Sequence, residues 1–149
     1  MEAARRRACL ILALAALGGC GGSDDEPACR VDRGVLPEWA RAGFSESAPR
    51  APHVVGRSGE IAAVLFGDPL TAPPRPDRGN KILWVARETP PLGDLEIQAQ
   101  RPGGKTVRRV VKRGPGPSII DLPAPGCWRL TLTWAGHRDT LDLEYHARQ

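Results

Sequence analysis

From about residue 52 onward, apolar and polar residues alternate with a period of two, which predicts β-strands. The pattern is clearest at 127–134, where Trp128, Leu130, Leu132 and Trp134 share one face. The predicted strands span 53–55, 60–66, 81–87, 94–101, 106–112, 118–122, 127–134 and 138–145. Glycine and proline turns separate them, which predicts an all-β, antiparallel β-sandwich.

Two local features refine this prediction. Strand 60–66 is apolar on both faces, which favours a central place in its sheet. The short segment Ala135-Gly136-His137 separates the last two strands, which predicts a hairpin. Ahead of the strands, Leu36 to Phe44 is the one helical candidate, short enough that packing of Trp39 and Phe44 must stabilise it.

The N-terminus has the layout of an export signal. Three arginines at 5–7 precede an apolar run at 8–17, and small residues lead to Cys20. The run is too short to span a bilayer, which takes roughly 20 residues. An ordinary cleaved signal followed by a chance cysteine is the alternative interpretation.

The tetrad Leu17-Gly18-Gly19-Cys20 resembles the lipobox of bacterial lipoproteins. The resemblance implies cleavage before Cys20, a diacylglycerol on its sulfur, and attachment to the extracytoplasmic face of the cell membrane. Two acyl chains suffice for stable anchoring. Gly21 follows, and a residue other than Asp there leaves the outer membrane open as a destination. We therefore divide the chain into a signal peptide (1–19), a lipidated cysteine with a flexible tether (20–35), and a sandwich domain (36–149).

Charge argues against nucleic acid as a partner. The formal net charge is +4, but residues 1–19 hold three arginines and one glutamate, so the mature chain carries only +2. Residues 21–28 lack an apolar stripe and include three acids, which would repel an anionic membrane within a Debye length.

Of the four cysteines, Cys9 leaves with the signal and Cys20 carries lipid. Cys29 and Cys127 remain outside the cytoplasm, where disulfides persist, and we expect them to pair. A metal site and two free thiols are the alternatives, although no CxxC or HxxxH spacing is present. Because Cys127 has the parity of Arg129, a bridge would strap the N-terminal segment across the outside of a sheet.

Residues 125–134 resemble the penultimate strand of an immunoglobulin-type domain, in which Trp128 takes the place of the corner aromatic. Trp84 would then be the core tryptophan. The pattern also resembles small bacterial lipoproteins that end in a Gly-Cys-Trp strand and a final hairpin. The resemblance covers about residues 52–146 and implies an immunoglobulin-like fold. It does not indicate an activity, and no catalytic or ligand-binding residues come with it.

Nothing in the sequence points to catalysis. No GxSxG, HExxH, P-loop or GxGxxG occurs, and His53, His137 and His146 are far apart. Asp142 and Glu144 alternate outward on the last strand, as expected for a solvated face. We therefore expect no enzyme, no cofactor and no metal.

Two segments are candidates for binding. Segment 101–113 holds six cations and no acid, which fits either a charge-protected edge strand or a patch for anionic lipid or polymer. Its cations are Arg101, Lys105, Arg108, Arg109, Lys112 and Arg113. The proline-rich loop 68–79 fits either a stiff connector or a partner-binding loop.

Our leading hypothesis is a non-enzymatic, lipid-anchored module that presents sandwich loops to an envelope protein or anionic polymer. The alternative is an accessory or sensing lipoprotein that binds a small ligand between the sheets or under the 37–44 helix. A pocket lined by Trp39 and Trp84 would favour that alternative. An enzyme that uses dispersed residues is the third, and clustering of His137 or His146 with acids in a cleft would favour it.

Overall fold

The computed structural model describes residues 27–149, so the predicted signal peptide, Cys20 and the first part of the predicted tether lie outside the described residues. Within these residues, nine strands form two sheets, with the orders β1-β2-β4-β7 and β3-β9-β8-β5-β6. The strands are β1 (His53–Val55), β2 (Ile61–Leu65), β3 (Thr71–Ala72), β4 (Lys81–Ala86), β5 (Leu95–Gln100), β6 (Val107–Val111), β7 (Pro117–Ile119), β8 (Gly126–Trp134) and β9 (His137–Ala147). The described part of the chain is therefore all-β.

The eight predicted strands are all present, with bounds that shift by up to three residues. β2 lies between β1 and β4, as its two apolar faces predict, and β8 and β9 form the predicted hairpin. One strand was missed: the two-residue β3 lies inside the predicted proline-rich loop and pairs in parallel with the end of β9. Every other strand pair is antiparallel.

The hydrophobic core lies between the two sheets, an arrangement consistent with a β-sandwich. One contiguous cluster joins the inward residues of both sheets, including Ile61, Trp84, Ile97, Trp128 and Tyr145. The inner faces follow the alternation of the sequence, since β5 is buried at Leu95, Ile97 and Ala99 and exposed between them.

Part of the outer face of the four-stranded sheet is also covered. Ala62 and Val64 point away from the core, yet both are 0% exposed. Segment 36–44 crosses this face: Trp39 lies under the Arg87 guanidinium, and the Phe44 ring stacks on Phe66. The predicted short helix is not confirmed, because this segment forms only a three-residue 3-10 turn at Glu38–Ala40. Within residues 27–149, no helix has the length and apolar character needed to cross a membrane.

Candidate functional site

The loops of the five-stranded sheet fall into two groups, one at each end of the sandwich. The pairing of β5, β8 and β9 places loops 101–106 and 120–125 together with residues 146–149. Turns 87–94, 112–116 and 135–136 lie at the opposite end. Pro27, the first described residue, shares a cleft with Arg101 and Gly126 in the first group. We call the first group the tether end and the second the distal end.

Cys29 and Cys127 attach the N-terminal segment to the sheet. Their sulfurs lie at bonding distance, 1.97 Å apart, and their Cα atoms are 5.8 Å apart. Cys127 alternates with the buried residues Trp128 and Leu130, so it lies on the outer face of β8. The segment therefore crosses the outside of the sheet, as the parity of the sequence predicts.

Asp142 lies beneath this strap and is only 7% exposed. The prediction of a solvated outer face is wrong at this residue, because the N-terminal segment and Arg57 cover it. Its carboxylate accepts hydrogen bonds from the Arg129 Nε at 3.0 Å, the Ala28 amide at 3.0 Å and the Arg57 guanidinium at 3.0 Å. Glu144, two residues further along the strand, remains exposed as predicted.

The pKa of Asp142 reflects two opposing effects. Burial raises it, but the hydrogen bonds from Arg129, Ala28 and Arg57 outweigh burial, and the pKa lies below its ordinary value. A carboxylate held charged in this way connects three parts of the chain that are distant in sequence. Asp142 is therefore a structural clamp for the strap.

The six cations of segment 101–113 do not form one surface. Arg101 and Lys105 lie at the tether end, whereas Lys112 and Arg113 lie at the distal end, across the five residues of β6. β6 is the edge of its sheet, and the edge-strand interpretation of these charges fits this position. A role for these cations in binding an anionic polymer stays a prediction.

Most of these cations already have partners. Arg108 and Lys112 pair with Glu96 at 3.4 Å and Asp94 at 2.8 Å. The Lys112 hydrogen bond lowers the pKa of Asp94, and the same bond raises the pKa of Lys112. Arg109 points to the opposite face from Arg108 and donates to the Asp121 carbonyl at 2.9 Å.

Arg101 belongs to the fold rather than to an open patch. Its guanidinium lies 5.0 Å from the centre of the Trp128 ring and donates to the Pro125 carbonyl at 2.7 Å. Lys105, in contrast, is exposed in the loop between β5 and β6. Only part of the predicted patch is therefore free to meet a partner.

The proline-rich loop 68–79 is held firmly at the tether end. Asn80 accepts from the Thr71 amide at 2.8 Å and donates to the Thr71 carbonyl at 2.9 Å. Arg33 pairs with Asp68, and Arg78 donates to the Asp68 carbonyl at 2.7 Å. These contacts favour the connector interpretation of this loop over the partner-binding one.

The distal end carries an exposed apolar side chain that the sequence did not reveal. Leu92 is 95% exposed in turn 87–94, directly after two prolines. Turn 112–116 lies beside it, since Lys112 pairs with Asp94. Leu92 looked like one more turn residue in the sequence, and only its near-complete exposure singles it out.

Trp39 and Trp84 lie on opposite faces of the four-stranded sheet. Trp84 is 1% exposed in the core and donates to the Ser118 hydroxyl at 3.0 Å. Trp39 lies on the outer face beneath Arg87. Trp39 and Trp84 therefore do not line a common pocket. Such a pocket would have favoured the hypothesis of a lipoprotein that binds a small ligand.

Two shallow clefts lie at the tether end instead. One of about 320 Å³ is lined by Pro27, Arg101, Pro102, Gly126 and Cys127. The other, of about 260 Å³, is lined by Pro69, Thr71, Arg75, His146, Ala147, Arg148 and Gln149. Within residues 27–149, no three His, Cys, Asp or Glu side chains come together in a way that would hold a metal.

The three histidines are separate in space. His53 is buried and its Nδ1 lies 2.8 Å from the Ala51 carbonyl. His137 faces Glu60 at 3.7 Å and His146 faces Glu144 at 3.8 Å, each pair partly exposed. The Thr71 hydroxyl beside His146 is buried and makes no hydrogen bond to it, so the arrangement of an activated nucleophile is not present there.

We compared the chain with protein-family models, with curated proteins and with solved structures, and none of them matches it. A functional assignment must therefore come from the chain's own residues. Two features stand out among residues 27–149: the strapped tether end and the exposed loops opposite it.

Proposed function

We propose that this protein is a lipid-anchored, non-enzymatic domain on the extracytoplasmic face of a bacterial cell membrane. The observation that carries the proposal is the pair Cys29–Cys127, whose sulfurs lie at bonding distance and whose first member follows Cys20 by nine residues. Disulfides persist in oxidising compartments and are rare in the cytoplasm. The signal-like N-terminus and the lipobox resemblance at Cys20 favour the same compartment.

We also propose that the fold is immunoglobulin-like. In the standard lettering of immunoglobulin strands, the order β3-β9-β8-β5-β6 corresponds to A′-G-F-C-C′. In the other sheet, β2-β4-β7 corresponds to A-B-E. β2 and β3 then form a first strand that switches sheets. Trp128 near the start of β8 donates through Nε1 to the Ala124 carbonyl at 3.0 Å, four residues upstream, as a corner aromatic does.

Three departures limit the likeness. β1 is an additional N-terminal strand at the edge of the four-stranded sheet. The cysteine pair joins the N-terminal segment to the outside of β8 and does not connect the two sheets. The core tryptophan Trp84 lies on β4, which corresponds to strand B, whereas antibody domains carry theirs on strand C.

In this arrangement the distal loops project away from the anchor. Pro27 enters the fold at the tether end, and turns 87–94, 112–116 and 135–136 lie at the other end of the sheet. β9 has 11 residues and therefore spans about 35 Å at roughly 3.3 Å per residue. We propose that these distal turns, with Leu92 as an exposed apolar contact, bind a protein or polymer of the envelope.

Replacing Leu92 with aspartate should reduce the capture of an envelope partner to the level of a no-bait control. The reason is that a charge cannot enter the apolar site that would receive the leucine. The full-length protein is crosslinked in intact cells, isolated through an affinity tag, and its adducts are identified by mass spectrometry.

Lys105→Asp is the matched control, because Lys105 is also an exposed loop residue but lies at the tether end. Its adducts should equal those of the wild type. Equal capture by the wild type and Leu92→Asp, with capture lost in Lys105→Asp, would contradict binding at the distal end.

A further inference from the structure

An exposed apolar row lies across the four-stranded sheet near the tether end. Lys81 at the start of β4 pairs with Ile119 of β7, and the Lys81 ammonium lies 5.8 Å from the centre of the Phe66 ring. Phe66 follows the end of β2 and is 48% exposed, while Ile119 is 63% exposed. We call Phe66, Lys81 and Ile119 the apolar row.

The row lies on the outer face of the sheet. Ile82 and Trp84 of β4 point into the core, so Lys81 points outward with Phe66 and Ile119 beside it. Phe44 extends the row, because its ring stacks on Phe66 with 6.2 Å between the centres. The result is one continuous surface of aromatic and aliphatic side chains with a lysine at its centre.

The row is at the same end of the sandwich as the tether. The backbone amide of Ile120, the residue after β7, donates a hydrogen bond to the Asn80 carbonyl at 3.1 Å. The Tyr145 hydroxyl, near the end of β9, donates to the Ile120 carbonyl at 2.7 Å. These bonds join the row's end of the four-stranded sheet to the tether end of the other sheet.

The length of chain between Cys20 and Pro27 limits how far this end can stand from the membrane. Cys20 precedes Pro27 by seven residues, which span at most about 25 Å when fully extended. The sheet itself is longer than this, since β9 alone has 11 residues of about 3.3 Å each. An acylated Cys20 therefore keeps the tether end, and not the distal end, next to the bilayer.

We propose that the apolar row rests on the bilayer interface and fixes the orientation of the domain, an inference that depends on the proposed acylation of Cys20. Exposed Phe and Ile side chains with adjacent cations are the combination that partitions into the headgroup region. Lys81 supplies the cation, and Arg78 in the neighbouring loop supplies another exposed one.

Charge alone would not hold the row on the membrane. The tether contains Asp24, Asp25 and Glu26, which repel anionic headgroups. That repulsion is screened over about 8 Å at physiological ionic strength. Burial of the apolar side chains is not screened by salt, so Phe66 and Ile119 provide the contact and Lys81 favours anionic lipid.

Photo-crosslinking from inside the row tests this contact directly. A benzophenone amino acid replaces Phe66, Ile119 or Leu92, one at a time, in the full-length acylated protein. Each protein is reconstituted into vesicles of phosphatidylglycerol and phosphatidylcholine, recovered by flotation, irradiated, and analysed for phospholipid adducts by mass spectrometry. The Leu92 position is the control, because its side chain is 95% exposed at the distal end.

We expect phospholipid adducts from positions 66 and 119 and none from position 92. If the proteins float with the vesicles but give equal lipid adducts at all three positions, or no lipid adducts at any, the inference is overturned. The proposed acylation of Cys20 would be unaffected by that result. Adducts from position 66 to a second copy of the chain, in place of lipid, would overturn it as well. A chain that is not acylated and does not float would overturn both the inference and the proposed function.

Discussion

Replacing Cys29 and Cys127 with serine together should lower the free energy of unfolding by about 4–5 kcal/mol in the chain-entropy model. The expected loss is large because the two cysteines are 98 residues apart, so the bridge restricts most of the unfolded chain. Chemical denaturation of the full-length protein, with and without reductant, measures the effect. Reduction of the wild type should shift its midpoint to that of the double variant.

Thr133→Ser is a suitable control, since Thr133 is exposed on the outer face of β8, the strand that carries Cys127. Its midpoint should equal that of the wild type, with and without reductant. A wild-type midpoint that reductant does not change, and that equals the midpoint of the double serine variant, would show that the two cysteines are not paired in solution.

Replacing Asp142 with asparagine should lower the free energy of unfolding at neutral pH by about 2–3 kcal/mol, because two arginines and an amide lose a charged acceptor. The pKa of Asp142 is lowered in the folded protein. Its contribution is therefore complete above the ordinary carboxyl pKa of about 3.9 and is lost as the pH falls through the lower, folded value. Denaturation curves between neutral and strongly acidic pH measure this dependence.

The variant should accordingly lose less stability than the wild type when the pH falls below about 4. Glu144→Gln is the matched control, because Glu144 lies on the same face of β9 but is exposed. It should follow the wild type at neutral pH. If Asp142→Asn and Glu144→Gln have the same stability at every pH, the clamp under the strap contributes nothing to the fold.

The sequence predicted the strands well because their patterns reflect burial directly. In β5 and β8 the inward residues are large and apolar and the outward ones polar, so a period of two locates each strand and its buried face. β3 was not predicted, because two residues cannot show a period and prolines lie close on both sides. Its parallel pairing with β9 depends on tertiary structure that no local pattern encodes.

Alternation shows which way a side chain points, but it does not show what covers that face. Asp142 points outward as predicted, yet the N-terminal strap buries it. Ala62 and Val64 likewise point outward and are buried, and segment 36–44, predicted as a helix, contacts Arg87 and Phe66 of the same region. In both places a distant segment decides the environment, and local periodicity holds no information about it.

The candidate surfaces were only partly predictable for the same reason. The six cations of segment 101–113 lie close together in sequence, but the segment runs from the loop before β6 to the turn after it. The cations are therefore spread from one end of the sheet to the other. Phe66, Lys81 and Ile119 are far apart in sequence and become neighbours only through the pairing of β4 with β7 and its approach to the end of β2.

Metabolic labelling with an alkyne fatty acid tests the central claim, that a lipid on Cys20 holds this domain at the membrane. Cells that express the full-length protein are labelled, fractionated and analysed by mass spectrometry of the N-terminal peptide. We expect a membrane-bound protein that begins at an acylated Cys20, and a Cys20→Ala variant that carries no label. A wild-type chain that retains residues 1–19, carries no label and is found in the cytosol would contradict the claim.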